Sequence, residues 1–326
     1  MGNWKWFSES GSSGFKSSST AEQVTEGIDA TGLTAIVTGA TSGIGKETAR
    51  VLALKGVNVI VPSRDLENGL KIKEMILQEN PKAQIDVMEM DLASIESITS
   101  FAQSFNSSKQ SLNILINNAG IFACPFQLSR DGIELQFATN HLGHFLLTKL
   151  LLEKLKTTAK KTGIEGRIVN VSSIAHGYSK GDSLLDLEII NNPTKYKKYD
   201  AYCRSKLANV LHANELARVL QAEEANVTAN SLHPGIIATN IFRFMNIRGI
   251  MLHVLAALGK LFTKNIPQGA STTCYLALHP DMKGVTGKFF IDCKETLPSS
   301  QSQDKDLGKK LWSWSTDLLN NLNIQK

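Results

Sequence analysis

The stretch Thr34-Ala-Ile-Val-Thr-Gly-Ala-Thr-Ser-Gly-Ile-Gly45 constrains this chain most. Its apolar opening, Thr34 to Val37, predicts a buried strand; a glycine-punctuated turn then leads into a helix starting near Gly43. Gly39, Gly43 and Gly45 lack a Cβ, so the backbone there turns sharply and approaches a ligand closely. The helix that follows begins with unpaired N–H groups and the positive end of its dipole, which suits a pyrophosphate. The spacing is Gly-x-x-x-Gly-x-Gly, not the Gly-x-Gly-x-x-Gly of most dinucleotide folds. Taken alone, it also fits a plain tight turn.

Further strands are expected over Val57 to Val61, Gln84 to Met90, Leu112 to Ile116, Gly166 to Val171, Val227 to Leu232 and Gly287 to Ile291. Helical stretches alternate with them, at Lys46 to Lys55, Leu66 to Gln78, Ser94 to Phe105, Asp131 to Lys156, Leu207 to Ala222 and Gln268 to Leu278. In open α/β sheets, ligands bind in the crevice at the carboxyl ends of the strands. At the end of the second strand stand Arg64 and Asp65. A base there suits the 2′-phosphate of NADP and an acid the 2′-hydroxyl of NAD, and Asp65 is also placed to cap the next helix. Asp91 and Leu92 end the third strand; Asp91 suits an adenine amino group or a helix cap. Asn117-Asn118-Ala119-Gly120 ends the fourth, where amide side chains fix turns and line a crevice.

Asn140 is a polar residue on an apolar helix face, which a satisfied buried amide also explains. His141 and His144 have no evident third ligand, and the four cysteines lack Cys-x-x-Cys spacing, so no metal site is expected. Thiols in a reducing compartment are expected instead. Ser172 and Ser173 end the fifth strand, and residues 175–199 read as a long irregular loop. Tyr202 and Lys206 are four apart, one helical turn on the same face. An ammonium beside a phenol favours the phenolate and brings proton transfer within reach of neutral pH, although such a pair is also ordinary on a solvated helix. His233-Pro234-Gly235 ends the sixth strand, and Thr239 lies beyond it with a hydroxyl suited to a carboxamide or phosphate.

Residues 1–30 read as a flexible extension rich in Ser and Gly, with Trp4, Trp6, Phe7 and Phe15 free to pack on the domain or touch a membrane surface. They contain no signal or spanning run, Trp6 stands where a myristoylation motif wants Ser or Thr, and Glu9, Glu22 and Glu26 argue against a removable transit peptide. Residues 31–300 form the catalytic domain, with a substrate lid of amphipathic helices over about 238–265; an interfacial membrane helix is the alternative there. Residues 301–326 form a helical tail whose Trp312, Trp314, Lys309 and Lys310 suit a partner groove or docking on the domain. With 326 residues, 20% charged, and a net charge of +5 spread along the chain, nothing points to nucleic acid.

In order, Thr38-Gly-x-x-x-Gly-Ile-Gly45, Asn117-Asn-Ala-Gly120, Asn140, Ser173, Tyr202-x-x-x-Lys206 and Pro234-Gly235 resemble the short-chain dehydrogenase/reductase family over roughly residues 30 to 295. Asn140-His-Leu-Gly-His-Phe145 and Ala201-Tyr-Cys-x-Ser-Lys-Leu-Ala-Asn-Val210 are similar to its retinol-dehydrogenase-like branch. Gly14-Phe15, residues 18–29 and Leu211-His-Ala-Asn214 resemble a plant group that includes a dehydrogenase of the chloroplast inner-envelope protein translocon. The resemblance implies an α/β fold: a single Rossmann-type doubly wound domain of about seven parallel strands with helices on both faces.

It also implies a nicotinamide cofactor, NADP(H) by Arg64, with NAD(H) as the alternative. The cofactor would be held by Gly39, Thr41, Ser42, Gly43, Ile44, Gly45, Arg64, Asp91, Leu92, Asn118, Ala119, Gly120, Tyr202, Lys206, Pro234, Gly235, Ile237 and Thr239. Tyr202 would be the general acid/base and Ser173 would polarise the carbonyl. Lys206 would lower the Tyr202 pKa and bond the ribose, and Asn140 would hold a water. The substrate implied is a lipophilic carbonyl or alcohol. Calmodulin at the C-terminal helix, peripheral membrane contact, and a chloroplast-envelope or cytoplasmic location are further implications. Monomer and homodimer both stay open, since members pair through their two long helices.

Overall fold

The computed structural model describes residues 13–108, 110–179, 184–237 and 263–324. Thr239, nearly all of the expected lid, and Trp4, Trp6 and Phe7 lie outside the described residues.

Eight strands form one sheet in the order β3-β2-β1-β4-β5-β6-β7-β8. They are β1 (Thr34–Val37), β2 (Asn58–Ser63), β3 (Ile85–Glu89), β4 (Ile114–Asn117), β5 (Gly166–Val171), β6 (Val227–His233), β7 (Phe289–Ile291) and β8 (Lys294–Glu295). All pairings are parallel except β7 with β8, a two-residue antiparallel edge that adds one strand to the expected seven. Side chains alternate across the sheet. Ile36, Leu115 and Ile168 face one core, with α4 (Ile95–Ser107), α6 (Gly143–Thr162) and α8 (Lys198–Ala222). Val37, Ile116 and Val169 face the other, with α2 (Gly43–Leu54), α3 (Leu66–Glu79) and α9 (Ile266–Leu278). The strand order reverses between β1 and β4, which opens a crevice at their carboxyl ends.

The expected helix from Asp131 to Lys156 is shorter and broken. The Asp131 carboxylate accepts from the Ile95 N–H at 2.8 Å and so is drawn to the start of α4. Gly132 is left-handed (φ 78°), and Glu134 caps a short helix, α5 (Leu135–Phe137), by accepting from the Gln136 and Phe137 N–H groups. A π-helical turn, Ala138–Leu142, carries Asn140 and joins α5 to α6. Gly143 passes the Leu92 carbonyl so closely that a Cβ would lie 2.4 Å from its oxygen.

From Phe15 onward, the extension expected to be flexible is docked. The Phe15 ring meets Tyr275 and His279 edge-on, at 5.8 and 5.5 Å. Thr20 and Gln23 form a capping box for α1 (Ala21–Val24), whose Ala21 and Val24 are buried. The loop at 175–199 is also more regular than expected, with a 3₁₀ turn at Ile174–Tyr178 and a short helix, α7 (Leu187–Ile190). The C-terminal helix α10 (Lys305–Ile324) lays its apolar side on α6 and α8: Trp312 meets Phe145 at 5.1 Å and His212 at 5.9 Å. Among the described residues, no helix is long and apolar enough to cross a membrane.

Candidate active site

A cleft of about 690 Å³ follows the carboxyl ends of β1, β2, β4 and β5. Its floor is the turn between β1 and α2. Gly39 is left-handed (φ 68°), and a Cβ there would lie 2.8 Å from the Ala119 Cα. Thr38 ties this turn to the one after β4. Its hydroxyl accepts from the Asn118 and Ala119 N–H groups at 2.9 and 3.0 Å, and the Asn118 amide donates back to the Thr38 carbonyl at 2.8 Å. Ser42, at the N-cap of α2, makes no side-chain capping bond, so the first N–H groups of α2 are not satisfied by that cap. A glycine cradle under an uncapped helix start fits a dinucleotide pyrophosphate.

Thr41, Ser42, Gly43, Ile44 and Gly45 line the cleft, as do Asp91, Leu92, Asn118, Ala119 and Gly120. Arg64 lines it at the end of β2 and is exposed. Asp65 is the N-cap of α3: its carboxylate accepts from the Asn68 N–H at 3.1 Å and from the Asn68 side-chain amide. Asp91 accepts from the Ala93 N–H at 2.9 Å, while Ser94 caps α4, so the cap read as an alternative for Asp91 belongs to Ser94. Asn117 faces the core, donating to Thr148 and Asn170 at 3.0 and 2.8 Å.

At the other end of the cleft, α8 presents Tyr202 and Lys206. Lys206 Nζ donates to the Val171 carbonyl at 3.0 Å and lies 5.6 Å from the centre of the Tyr202 ring. Burial lowers Lys206 to about 8. Burial also raises the Tyr202 phenol well above its usual 10, partly offset by a hydrogen bond from Ser173. Burial, rather than the neighbouring ammonium, sets the direction for Tyr202 at rest. Desolvation dominates both groups.

Ser172 lines the cleft, but its hydroxyl donates to the Lys206 carbonyl at 2.7 Å. Ser173 is the serine bonded to Tyr202. Phe122 packs edge-on against Tyr202 at 4.6 Å and beside Tyr199 at 5.7 Å, an aromatic cluster around the phenol ring.

Asn140 is fully buried off the cleft. Its amide accepts from the Ile121 N–H at 2.8 Å and donates to the Ile121 carbonyl and Ser205 hydroxyl, both at 3.0 Å. This is the satisfied-amide reading, and it braces the turn after Gly120. Pro234 lines the cleft, whereas Gly235 (φ 102°) packs on Lys264 and Ile237 packs on Gly269 behind it. The sequence reading missed Gln127, Leu128, Ser129 and Arg130, which also line the cleft. They lie on a small hairpin bridged at Leu128 and Glu134, and only Gly132 hinted at it. Among the described residues, no group of side chains is arranged to hold a metal ion.

Comparison with known proteins agrees with this geometry. The short chain dehydrogenase family matches residues 33–182. A chloroplastic short-chain dehydrogenase of Brassica napus, TIC 32 B, is 55% identical over 96% of this chain and 97% of its own. Mouse retinol dehydrogenase 12 is 40% identical over 90% of this chain and 89% of its own. A solved structure of an uncharacterized protein from Mycobacterium paratuberculosis superposes with a TM-score of 0.70 at 31% identity, covering 91% of this chain and 97% of that one. With the glycine turn, the Asn-Asn-Ala-Gly turn and the Tyr-x-x-x-Lys helix all meeting in one cleft, the chain belongs to the short-chain dehydrogenase/reductase family, nicotinamide-dependent oxidoreductases acting on CH–OH groups.

Proposed function

We propose that the chain is an NADP(H)-dependent oxidoreductase interconverting a lipophilic carbonyl and its alcohol, with Tyr202 as general acid/base. The observation that carries this reading is the placement of Tyr202 and Lys206 at one end of the cleft, with Ser173 beside the phenol. When bound, the nicotinamide supplies the hydride for reduction or accepts it in oxidation. Burial keeps Tyr202 protonated, so in reduction it gives its proton to the carbonyl oxygen. Ser173 donates a hydrogen bond to the same oxygen and polarises it. Lys206 meets the charge left on the phenol oxygen and bonds the ribose hydroxyls. Asn140 braces the Gly120–Ile121 turn and would hold a water that links Lys206 to solvent.

Arg64 supports NADP, because Asp65, its acidic competitor for the ribose, is engaged at the start of α3. The aromatic cluster of Phe122 and Tyr199 around Tyr202 and the retinol-dehydrogenase relatives support a lipophilic substrate. The Brassica relatives, named as chloroplastic, support a chloroplast location. The alternative is an NADPH-sensing accessory subunit bound by calmodulin at residues 307–326. That helix already buries Leu311 and Leu319 in the core, so capture would first have to detach it. We therefore put the enzyme first. Because α10 covers α6 and α8, the helices expected to pair two subunits, we also favour a monomer.

The test is turnover of a panel of lipophilic aldehydes and ketones with NADPH and NADH, using wild type and Tyr202→Phe. The expected result is NADPH-dependent reduction that falls by about 10²–10⁴-fold in the variant, with NADPH binding retained. Turnover that survives in Tyr202→Phe overturns the mechanism. Tight NADPH binding without turnover on any panel member shifts the reading to the sensor.

A further inference from the structure

His176 is buried, makes hydrogen bonds at both ring nitrogens, and sits three residues beyond Ser173. Its Nδ1 lies 2.6 Å from the Ser173 carbonyl oxygen. A carbonyl only accepts, so Nδ1 carries the proton. Its Nε2 is then a bare acceptor, and it receives the Ser299 N–H at 3.0 Å. The two contacts fix one neutral tautomer. Edge-on packing against Phe289 at 4.9 Å fixes the plane of the ring.

The Ser173 peptide is therefore held from several directions. Its carbonyl accepts from the His176 ring and from the His176 backbone N–H at 3.1 Å. Its hydroxyl oxygen accepts from the Ala175 N–H at 3.2 Å, which leaves the hydroxyl proton for Tyr202. A small rotation of this peptide swings the hydroxyl away from the phenol. On the far side, Ser299 begins the 3₁₀ turn Ser300–Gln303 that leads into α10. The imidazole thus spans the gap between the end of β5 and the start of the C-terminal segment.

We propose that His176 is a positioning residue that aims the Ser173 hydroxyl at Tyr202 through its Nδ1–H bond, with the Ser299 N–H holding the ring in the tautomer that makes this bond. The proposal rests on the roles given to Ser173 and Tyr202 above. It does not make His176 a catalytic residue, because the ring touches neither the phenol nor the cleft.

The two ring nitrogens are separable by substitution. His176→Asn places an amide N–H near Nδ1 and keeps the bond to Ser173 while losing Ser299. His176→Gln reaches the Nε2 position and favours Ser299 at the expense of Ser173. A purely structural role costs each variant one buried bond and moves both alike. Positioning moves them apart. The experiment uses the full chain, NADPH, and retinaldehyde as the probe substrate, with thermal melting and NADPH affinity measured alongside.

The expected result is kcat within about threefold of wild type for His176→Asn and about tenfold or more below it for His176→Gln, with NADPH affinity unchanged in both. Equal kcat values in the two variants overturn the proposal. ¹⁵N NMR of the histidines in the wild-type chain, with His176 assigned from the variants, is independent of turnover. A protonated Nδ1 and bare Nε2 are expected; the opposite tautomer also overturns the proposal. If Tyr202→Phe stays active while the tautomer is as expected and the two His176 variants still diverge, the mechanism fails but the positioning stands.

Discussion

Adding one methyl group at Gly45 tests how the cofactor cradle is built. A Cβ there would lie 2.4 Å from the Asn118 amide nitrogen and 2.4 Å from the Gly39 carbonyl oxygen. One neighbour is backbone and the other is the amide that joins the two turns by its 2.8 Å bond to the Thr38 carbonyl. Neither yields without moving a turn. Overpacking of this kind costs about 1–3 kcal/mol. Loss of the Asn118–Thr38 bond adds about 1 kcal/mol, and the better helix propensity of alanine returns about 1 kcal/mol. Gly45→Ala should therefore lower stability by about 1–3 kcal/mol and displace the α2 N–H groups from the cofactor phosphates.

The assay is thermal melting with and without NADPH, together with a fluorescence titration of NADPH. NADPH at about 100 times its Kd should stabilise the wild type by about 2.7 kcal/mol, and most of that increment should vanish in the variant at the same concentration. Gly163→Ala is the control. Gly163, unlike Gly45, is left-handed (φ 72°), but nothing lies within 4 Å of its Cβ position and it is remote from the cleft. It should lose about 1 kcal/mol through backbone strain and bind NADPH normally. If Gly45→Ala binds NADPH like the wild type, the cradle does not depend on this close approach and the reasoning fails.

Arg64→Ala should raise the KM for NADPH by about tenfold or more and leave that for NADH unchanged, because a charge-assisted bond to a 2′-phosphate contributes about 1.5–3 kcal/mol; equal effects on both cofactors would remove Arg64 from the 2′ position. Lys206 is held down from 10.5 to about 8, so the folded state binds fewer protons than the unfolded state between those values and stability should rise as pH rises through that window. Lys206→Met should remove this contribution, worth on the order of 3 kcal/mol, and flatten the rise; chemical denaturation at pH 7.5 and 10 reads it, and an unchanged slope would show that Lys206 is not desolvated.

The parts of the site legible in the sequence are those whose geometry is local. Tyr202 and Lys206 share a helix face because their spacing of four is nearly one turn, and Gly39 and Gly45 announce a turn because a Cβ cannot be fitted there. The unread parts depend on distant contacts. Asp131 looked like the start of a long helix, yet its carboxylate is drawn to Ile95, and the chain on either side of it folds into the Leu128–Glu134 hairpin that brings Arg130 to the cleft. Phe15 sits in a stretch whose composition suggests a loose tail, and one aromatic contact with Tyr275 and His279 helps dock it. Arg64 and Asp65 are ambiguous as neighbours in the sequence, and both line the cleft; the structure adds that Asn68 engages the Asp65 carboxylate.

The electrostatics of Tyr202 were least legible, because spacing alone does not reveal burial. An ammonium one turn away suggests a lowered phenol pKa, yet in the resting site the phenol is raised and the lysine lowered. The two observations suit reduction. Below pH 8, Tyr202 holds its proton and Lys206 holds its charge, which is the pairing a general acid needs. Little attraction between them exists before the reaction, because one partner is neutral. If Tyr202 acts as the proposed general acid, the phenolate it leaves faces an ammonium in a buried site, where their attraction far exceeds its value in water. That stabilisation grows with the charge transferred and so acts on the transition state rather than the resting state. A phenol already ionised at rest would have drawn on the same attraction too early and would have no proton to give.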